Sequence, residues 1–365
     1  MLETFKISSS TGEYLVEIGL NLEETKSLKK PADVVIVDQN VANLWFEGQA
    51  GDALLVEALE ENKTLEGCAK LIEGMRSKGA SRGSHLYSIG GGIVQDLSTF
   101  CASAYMRGIK WTYVPTTLLG MVDSCIGGKS SINVGPYKNI AGNFYPPQKI
   151  LIDIKFCKTL ALTEQIAGLC EAVKICFAAS GKEFEEYLKI FSESSSVLSE
   201  QEILQVVILS LHTKKRFIEE DEFDNGSRLL LNFGHTFGHA IEAATNFSIT
   251  HGLAVGIGML AEIQFGNALN HSQNTPDRVV KLTDYIKQLL ATLPKSVNGL
   301  KHLDVEAAMR AFKSDKKHSA QEYVVVVANG SGYLERVRTP ICSHTDELIR
   351  EIFSYLKEGF ISEIQ

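Results

Sequence analysis

The chain has 365 residues, more than one hydrophobic core usually supports, so two domains are expected. A net charge of -8 without a basic stripe argues against a nucleic-acid partner, and the absence of an uninterrupted apolar run of eighteen residues argues against a membrane span. Seven scattered cysteines, never spaced CxxC, and an N-terminus without a signal-peptide pattern predict reduced thiols and a cytoplasmic location.

The first 155 residues alternate between short apolar runs and helical patterns. The runs VVIVD (34–38), HLYSIG (85–90), WTYVP (111–115) and KILIDI (149–154) are typical of buried strands. Strands that alternate with helices predict a Rossmann-like, doubly wound parallel sheet.

Beyond residue 158 the pattern is mainly helical. Helices are predicted at 163–180, 199–220, 235–245, 252–270, 276–292 and 344–358, and a β-hairpin at 323–337. The sequence therefore predicts an α/β N-terminal domain at residues 1–158, followed by a mainly α-helical C-terminal domain at residues 159–365.

A glycine turn, SIGGGIVQD (88–96), follows a predicted strand and precedes a predicted helix. Glycine lets a phosphate approach the backbone, and a helix N-terminus offers N–H groups to it. The stretch is not GxGxxG, so nucleotide binding and a plain tight connection both remain open. Asp96 could face the helix dipole or a cofactor. Asp38, at the end of the first strand, could bind a ribose hydroxyl or form a turn.

Two histidines, His235 and His239, share one face of a predicted helix. Such a pair is found at metal sites and also in ordinary packing. His251 begins a glycine-rich helix, and Glu171 lies upstream in AGLCEAVK, so a glutamate and two histidines could hold a metal with one open position. HExxH is missing, which disfavours a zinc protease. On spacing alone, His235 and His239 would be the metal pair.

A polar, glycine-rich stretch at residues 114–142 suits either a phosphate site or a solvated loop. Cationic and amide side chains accompany it in sequence: Arg107, Lys129, Lys138 and Asn139. Lys174, one helical turn after Glu171, would point into the same site as that carboxylate. Lys214 and Arg228 are fourteen residues apart and could clamp a carboxylate.

Several long motifs in a shared order carry a resemblance. They are EENKTLE, GGGIVQD, YMRG, VPTTLLGMVDSCIGGKSSIN, KNIAGNFYPP, LCEAVK, SRLLLNFGHTFGHAIE, THGLAVGIGM and SDKK. From about residue 33 to 330 the chain resembles the 3-dehydroquinate synthase family of sugar-phosphate cyclases. The resemblance implies an NAD-binding first domain and a metal- and substrate-binding second domain.

The resemblance also implies the cofactor residues. NAD would be bound by Asp38, Asn40, Glu60, Lys63, Gly91, Gly92, Asp96, Thr116, Thr117, Phe156 and Thr159. A divalent metal, usually zinc and possibly cobalt, would be held by Glu171, His235 and His251. His239 would then be an active-site group rather than a ligand.

The substrate would be a phosphorylated sugar, and the resemblance implies a role for each side chain that meets it. Asp123, Lys174 and Asp224 would hold its hydroxyl groups. The phosphate would be held by Lys129, Asn139, Asn232, His239 and either Lys316 or Lys317, with Lys138 also in the substrate site. Lys214 and Arg228 would bind a carboxylate. Arg107 would reach the neighbouring subunit's site, which implies a homodimer.

The implied reaction converts 3-deoxy-D-arabino-heptulosonate 7-phosphate into 3-dehydroquinate and phosphate. It proceeds through transient oxidation, phosphate elimination, reduction and aldol closure, so that NAD ends as it began. Gln95, Val134, Tyr137 and Asp224 depart from the family pattern, as does EALE in place of PxGE. These departures leave open a related cyclase of the 2-deoxy-scyllo-inosose synthase or aminodehydroquinate synthase type. A metal-dependent polyol dehydrogenase, or a scaffold with an empty metal triad, are further alternatives.

Overall fold

The computed structural model describes residues 3–19, 32–47, 51–135, 137–191, 198–270 and 275–364. The chain divides into two compact units: Met1–Leu160 with Ile190–Asp224, and Ala161–Lys189 with Asn225–Gln365. The chain first leaves the first unit after residue 160, close to the predicted boundary, and then returns to that unit for residues 190–224. The division into domains at 1–158 and 159–365 stays a prediction.

The strands in chain order are β1 (Glu3–Ser9), β2 (Gly12–Ile18), β3 (Val34–Asp38), β4 (Leu54–Val56), β5 (His85–Gly90), β6 (Lys110–Pro115), β7 (Ile132–Val134), β8 (Tyr137–Ala141), β9 (Lys149–Ile152), β10 (Glu322–Ala328) and β11 (Leu334–Pro340). The helices are α1 (Gln39–Trp45), α2 (Leu65–Ser77), α3 (Gly92–Ala104), α4 (Leu162–Ala178), α5 (Glu183–Ile190), α6 (Glu200–Glu220), α7 (His235–Ala244), α8 (His251–Asn270), α9 (Asp277–Ala291), α10 (Pro294–Val297), α11 (Val305–Lys313), α12 (Ser343–Glu358) and α13 (Phe360–Ile364).

A seven-stranded sheet forms the centre of the first unit, in the order β1-β2-β9-β6-β5-β3-β4. β1 and β2 are an antiparallel hairpin, and all other neighbours in this sheet are parallel. β3, β5 and β6 are largely buried, which explains why their sequences are continuous apolar runs rather than alternating ones.

The strand order places a switch point between β3 and β5. β4 lies next to β3 on one side, whereas β5, β6 and β9 follow one another on the other side of β3. In open parallel sheets a ligand binds beyond the carboxyl ends of the strands at such a point. Asp38 ends β3 and the glycine turn follows β5, so both lie at this edge.

The second unit is mainly helical and is built around α8. α4, α7, α9 and α12 contact α8, and the hairpin β10–β11 also packs against it. By length and composition residues 251–269 could cross a membrane, but 78% of this stretch is buried in the structure, as expected of a core helix. Buried apolar residues all round α8 account for its hydropathy.

The predicted fold class is confirmed, with a parallel-sheet α/β region followed by a mainly helical one. The six predicted helices lie within one or two residues of α4, α6, α7, α8, α9 and α12. The hairpin predicted at 323–337 is β10–β11, whose second strand continues to Pro340. Sequence reasoning missed the hairpins β1–β2 and β7–β8, because β1 and β8 carry exposed polar side chains and β7 has only three residues.

Candidate active site

The glycine turn opens α3 at the switch point of the sheet. Gly91 is the N-cap residue, and no side chain of the described residues caps this helix. A Cβ on Gly92 would meet no atom within 4 Å, whereas one on Gly91 would lie 2.9 Å from Cγ2 of Thr117. Thr116 donates its backbone N–H to Gly90 O and thereby continues the turn onto the end of β6. Backbone N–H groups beside open space suit a phosphate.

Asp38 caps helix α1 beside this turn. Its Oδ1 accepts hydrogen bonds from the backbone N–H groups of Asn40, at 2.7 Å, and Val41, at 3.4 Å. The turn-forming role considered from the sequence is therefore present, and it leaves Oδ2 for another partner such as a ribose hydroxyl. The Asn40 side chain is exposed.

Phe156 and Thr159 lie in a 3₁₀ segment, Ile154–Thr159, that contacts Trp45. The Trp45 ring packs edge-on against Phe156 with centroids 5.0 Å apart, and its Nε1 donates to Thr159 Oγ1 at 3.1 Å. Phe156 is buried and Thr159 is exposed. Trp45 was not among the predicted cofactor residues, since nothing in its spacing marks it.

Lys63 connects residues predicted for the cofactor with one predicted for the phosphate. Its Nζ lies 3.2 Å from Asp96 Oδ2 and 2.9 Å from Asn139 Oδ1. Glu60 Oε1 lies 3.5 Å from the same ammonium and 3.3 Å from Nζ of Lys138. The structure thus places Lys138 in an ion pair with Glu60, within one network at this edge of the sheet.

Burial raises the pKa of Asp96 to about 6, although Lys63 and the Ser131 N–H both favour its ionised form. Asp96 is the fifth residue of α3 and lies beyond its first turn, which contains no acidic residue, so the helix dipole considered from the sequence contributes little to this carboxyl group. Burial therefore destabilises the ionised form of Asp96 more than Lys63 and the Ser131 N–H stabilise it.

Two further ion pairs join predicted substrate residues of the first unit. Lys214, on α6, bonds to Asp123 Oδ1 and to its backbone oxygen, both at 2.5 Å. Lys129 Nζ lies 2.6 Å from Asp224 Oδ2. Asp224 has a positive φ of 62°, in the left-handed region that aspartate and asparagine adopt more readily than most other non-glycine residues.

Arg107 lies in a strained turn directly after α3. Met106 and Arg107 have φ angles of 49° and 68°, and Gly108 follows with 110°. Arg107 and Met106 are both exposed. Two successive non-glycine residues with positive φ present the Arg107 side chain outward from the unit.

The second unit brings Glu171, Lys174, His235 and His251 together. Glu171 and Lys174 lie one turn apart on α4 and form a short ion pair in which both side chains are almost completely buried. Glu171 Oε1 lies 3.4 Å from Nε2 of His251 and 3.9 Å from Nε2 of His235. Burial would raise the pKa of Glu171, but Lys174 and His251 hold that pKa well below its usual range.

Both histidines point Nε2 at this carboxylate because an acceptor faces the other ring nitrogen. Nδ1 of His235 lies 3.3 Å from Phe233 O, and Nδ1 of His251 lies 3.0 Å from Glu242 Oε2. With the proton on Nδ1, each Nε2 lone pair is available to a metal. Glu171 Oε1 is buried and has no hydrogen-bond partner among the described residues. This donor set fits a divalent cation.

His239 also lies in the cluster, so the geometry allows a second ligand set. His235, His239 and His251 each offer an atom within 4.8 Å of the others, and His239 is exposed. The planes of the His239 and His251 rings are 24° apart, with centroids 5.7 Å apart. The sequence expectation of Glu171, His235 and His251 therefore stays a prediction beside the set of three histidines.

Of the two lysines in the SDKK motif, Lys317 is the one whose positive charge affects the histidines. Its charge lowers the pKa of His235, after larger effects of burial, Lys174 and the other histidines, and its Nζ bonds to Asp315 at 2.7 Å. Lys316 is exposed. Asn232 and the buried Arg228 both lie in the 3₁₀ segment Ser227–Asn232, two residues before α7.

Two carboxylates in this unit were missed. Glu242 holds the His251 ring, as described above. Glu262 is fully buried on α8 and accepts hydrogen bonds from the backbone of Gly234 and Thr236 at the start of α7. Burial raises the pKa of Glu262 to about 8, while the two backbone N–H groups oppose this shift by stabilising the ionised form. The glutamate that ends GHTFGHAIE could have signalled Glu242, whereas a lone glutamate in an apolar helix gives no comparable signal.

Two family profiles cover most of the chain. The profile described as 3-dehydroquinate synthase N-terminal matches residues 53–167, and the one described as 3-dehydroquinate synthase C-terminal matches residues 168–318. The chain belongs to the 3-dehydroquinate synthase family. The resemblance inferred from the motifs is thereby confirmed, and the chain is an enzyme of a carbon–oxygen lyase family.

Curated members of the family are similar over most of their length. The 3-dehydroquinate synthase of Streptococcus equi subsp. equi is 30% identical over 98% of this chain and 99% of its own. That of Alkaliphilus metalliredigens is 32% identical over 97% and 99%. That of Saccharolobus solfataricus is 34% identical over 77% of this chain and 79% of its own.

Solved structures of other cyclases share the fold. A 2-deoxy-scyllo-inosose synthase complexed with carbaglucose-6-phosphate, NAD+ and Co2+ has a TM-score of 0.77 at 23% identity, over 96% of this chain and 100% of its own. The 2-epi-5-epi-valiolone synthase ValA from Streptomyces hygroscopicus, with NAD+ and Zn2+ bound, has a TM-score of 0.77 at 23% identity, over 94% and 97%. A probable glycerol dehydrogenase from Sinorhizobium meliloti is more distant, at 0.58 and 11%, over 94% and 95%.

The raised pKa of Asp96 predicts a specific pH dependence of stability. Because about 6 lies above the ordinary 3.8, the folded chain binds the proton more tightly than the unfolded chain. This group's stabilising contribution is complete below about pH 4 and is lost as the pH rises through 6. We expect it to lower the free energy of unfolding by about 2–3 kcal/mol across that interval.

Urea denaturation of the wild type and Asp96→Asn at a series of pH values measures this contribution. The difference between their two stability curves should change between pH 4 and 7, because asparagine does not titrate. Curves that stay parallel throughout would contradict the raised pKa.

Proposed function

We propose that this enzyme catalyses the 3-dehydroquinate synthase reaction, converting 3-deoxy-D-arabino-heptulosonate 7-phosphate into 3-dehydroquinate and phosphate. The observation that carries the proposal is the combination of near-full-length similarity to curated 3-dehydroquinate synthases with the retention of two buried cations, Lys214 and Arg228, that suit a carboxylated substrate. NAD and a divalent metal are the proposed cofactors, and relatives of the same fold were solved with NAD+ and Co2+ or Zn2+.

The metal would be held by Glu171, His235 and His251. A divalent cation there supplies Lewis acidity, polarising a substrate oxygen. The chain's own residues orient it: Glu242 and Phe233 O face the Nδ1 atoms, so that the Nε2 atoms point toward Glu171. Lys174 keeps Glu171 ionised and could also bind a substrate hydroxyl.

NAD would lie across the switch point of the sheet. Its nicotinamide supplies a hydride acceptor and donor. The N–H groups at the start of α3 would bind a phosphate beside Gly92, and Asp38 would accept a hydrogen bond from a ribose hydroxyl at the end of β3. The network of Lys63, Glu60 and Asp96 supports this turn from the side of α3.

The substrate would be held by polar side chains, several of which are already ion-paired within their own unit. Asp123 and Asp224 would accept hydroxyl hydrogen bonds, while Lys214 and Arg228 would bind the carboxylate. The phosphate would be held by Lys129, Lys138, Asn139, Asn232, His239 and Lys317. Side chains that arrive in fixed orientations reduce the ordering cost of binding and of reaching the reactive geometry.

A related cyclase acting on another sugar phosphate is the second candidate. It is favoured by the departures from the family pattern, of which Tyr137 and Gln95 have visible structural consequences. Tyr137 is 65% exposed on β8, and Gln95 is buried and exchanges two hydrogen bonds with Ser124, the neighbour of Asp123. A changed environment for Asp123 would alter which hydroxyl pattern fits.

A panel of substrates tests the proposal. With NAD and Zn2+ present, we expect phosphate release and 3-dehydroquinate from 3-deoxy-D-arabino-heptulosonate 7-phosphate, at a kcat/KM at least tenfold above those for glucose 6-phosphate, sedoheptulose 7-phosphate and the amino analogue. Phosphate is measured colorimetrically, and the product by mass spectrometry.

The same assay separates the alternatives. A cyclase returns NAD unchanged, so absorbance at 340 nm should not rise beyond one equivalent per site. Sustained NADH formation from an alcohol would indicate a polyol dehydrogenase. Turnover of a different sugar phosphate alone would replace the proposed substrate, and inactivity of metal-replete enzyme with all four would overturn the proposed function.

The two possible ligand sets predict opposite mutational results. If Glu171, His235 and His251 hold the metal, Glu171→Gln should weaken Zn2+ binding by about 100-fold or more, beyond the ~10–100-fold cost of losing an outer-shell partner. His239→Asn should keep Zn2+ affinity within about tenfold but lower kcat by roughly 10²–10⁴ if His239 moves a proton.

Zn2+ affinity is measured by competition with a chromophoric chelator. His302→Asn is the matched control, because His302 is an exposed histidine of the same unit outside the cluster. Removal of the metal by a chelator should abolish turnover, and added Zn2+ or Co2+ should restore it. Loss of Zn2+ in His239→Asn with retention in Glu171→Gln would support the set of three histidines instead.

A homodimer with shared active sites is the proposed assembly. It is supported by the strained, outward-facing turn at Arg107 and by large apolar side chains exposed on the first unit, among them Tyr137 and Ile140 of β8. If Arg107 acts in the partner's site, a mixture of inactive Arg107→Ala and inactive His235→Ala chains should regain activity.

The recovered activity should approach about a quarter of the wild-type value per total chain at equal mixing, because half of the dimers are mixed and each carries one intact site. Mixtures that stay inactive, under conditions where size-exclusion chromatography confirms exchange of chains, would contradict a shared site.

We also propose a cytoplasmic location: all seven cysteines are free thiols and six are buried, which suits a reducing compartment.

A further inference from the structure

Helix α7, which carries His235 and His239, begins without a cap of its own. Its N-cap residue is Gly234, with a φ of 81° and no side chain to accept a hydrogen bond. The first N–H groups of a helix have no partner within the helix and need one when they are buried. In most helices a serine, threonine or aspartate at the N-cap supplies it.

Glu262 supplies the missing acceptors from a different helix. It lies on α8, is 0% exposed, and accepts from the Gly234 N–H at 2.6 Å and from the Thr236 N–H at 3.0 Å, with one carboxylate oxygen for each. These two N–H groups flank His235 in sequence. The carboxylate therefore sets the position of the backbone on both sides of a predicted metal ligand.

α7 and α8 also approach each other backbone to backbone. A Cβ on Gly258 would lie 2.0 Å from Gly234 O, and a Cβ on Gly238 would lie 2.9 Å from Ala254 O. Gly258 and Glu262 are four residues apart and hence on the same face of α8. The glycines allow the backbones of α7 and α8 to touch. The two hydrogen bonds to Glu262 then fix the rotation of α7 about its axis and its position along α8.

The register of these two helices decides the histidine geometry, because His235 begins α7 and His251 begins α8. We propose that Glu262 is a positioning residue for the metal centre, which orients His235 toward Glu171 by holding the first turn of α7 against α8. The inference rests on the proposed function in which His235 and His251 bind a metal. Glu262 itself would contact neither metal nor substrate.

Two variants of Glu262 test the positioning role, one by a small change of the side chain and one by its removal. Glu262→Gln keeps the shape and one acceptor oxygen but turns an amide N–H2 toward a backbone N–H, and Glu262→Ala removes both acceptors. Asp304→Ala is the matched control: Asp304 caps α11, a helix of the same unit that packs against α7, through the Ala307 N–H, and its side chain makes no other hydrogen bond among the described residues. All three are prepared as full-length chains.

The first measurement needs no metal. Amide hydrogen exchange over residues 232–240, followed by mass spectrometry, should be faster in Glu262→Gln and faster still in Glu262→Ala, but unchanged in Asp304→Ala. Unchanged exchange in both Glu262 variants would overturn the proposal, because the carboxylate would then not hold the turn.

The second measurement uses Co2+ as the probe. Glu262→Gln should bind Co2+ about 10–100-fold more weakly than the wild type, the usual cost of losing an outer-shell partner, and should shift the visible d–d bands. Asp304→Ala should lower the melting temperature while leaving the Co2+ affinity and spectrum unchanged. Wild-type affinity and spectrum in Glu262→Gln would overturn the positioning role.

The two proposals can fail separately. A wild-type enzyme that binds Co2+ but turns over no sugar phosphate would overturn the proposed function, while the comparison of Co2+ binding among the variants would still decide the role of Glu262. A wild-type chain that does not bind Co2+ would overturn both.

Discussion

The proposed metal centre of this enzyme depends on one buried charge. Glu171 lies almost completely inside the second unit, where an unpaired carboxylate would cost several kcal/mol. Lys174, on the same face of α4, offsets most of that cost through one oxygen, and the other oxygen faces His235 and His251. A carboxylate that is ionised, buried and only partly satisfied is a strong attractor for a divalent cation, and the helices around it are arranged to supply the remaining ligands.

The two units offer different means of holding the proposed cofactors. The first uses backbone: the end of a buried parallel strand, a glycine that leaves open space and an uncapped helix N-terminus. The second uses side chains from three helices, whose mutual register must be correct before any ligand set exists. Phosphate recognition by a turn tolerates changes in the surrounding side chains, whereas a histidine cluster requires supporting residues such as Glu242 and Glu262.

Much of the chemistry could be predicted because it is local in sequence. The glycine turn is recognisable because a strand, three glycines and a helix succeed one another within nine residues, and Glu171 and Lys174 are recognisable because one helical turn separates them. Ion pairs between residues that are distant in sequence could not be predicted in this way. Lys63 with Asp96, Lys129 with Asp224 and Lys214 with Asp123 are 33, 95 and 91 residues apart, so no periodicity reveals them. The predicted roles of Lys138 and Glu60 likewise gave no sign that the two side chains would bond to each other.

The sequence by itself determined the fold class, the helix boundaries of the second half and the family, because each follows from local pattern or from motifs read in order. Tertiary structure alone decided which ring nitrogens face Glu171, which lysine of SDKK acts on the histidines, and what caps α7. The physical reason is that the conspicuous pair, His235 and His239, shares one helix face whatever the fold, while the approach of His251 to Glu171 exists only once α4, α7 and α8 have packed. Side chains eighty residues apart meet through that packing, and no spacing rule encodes it.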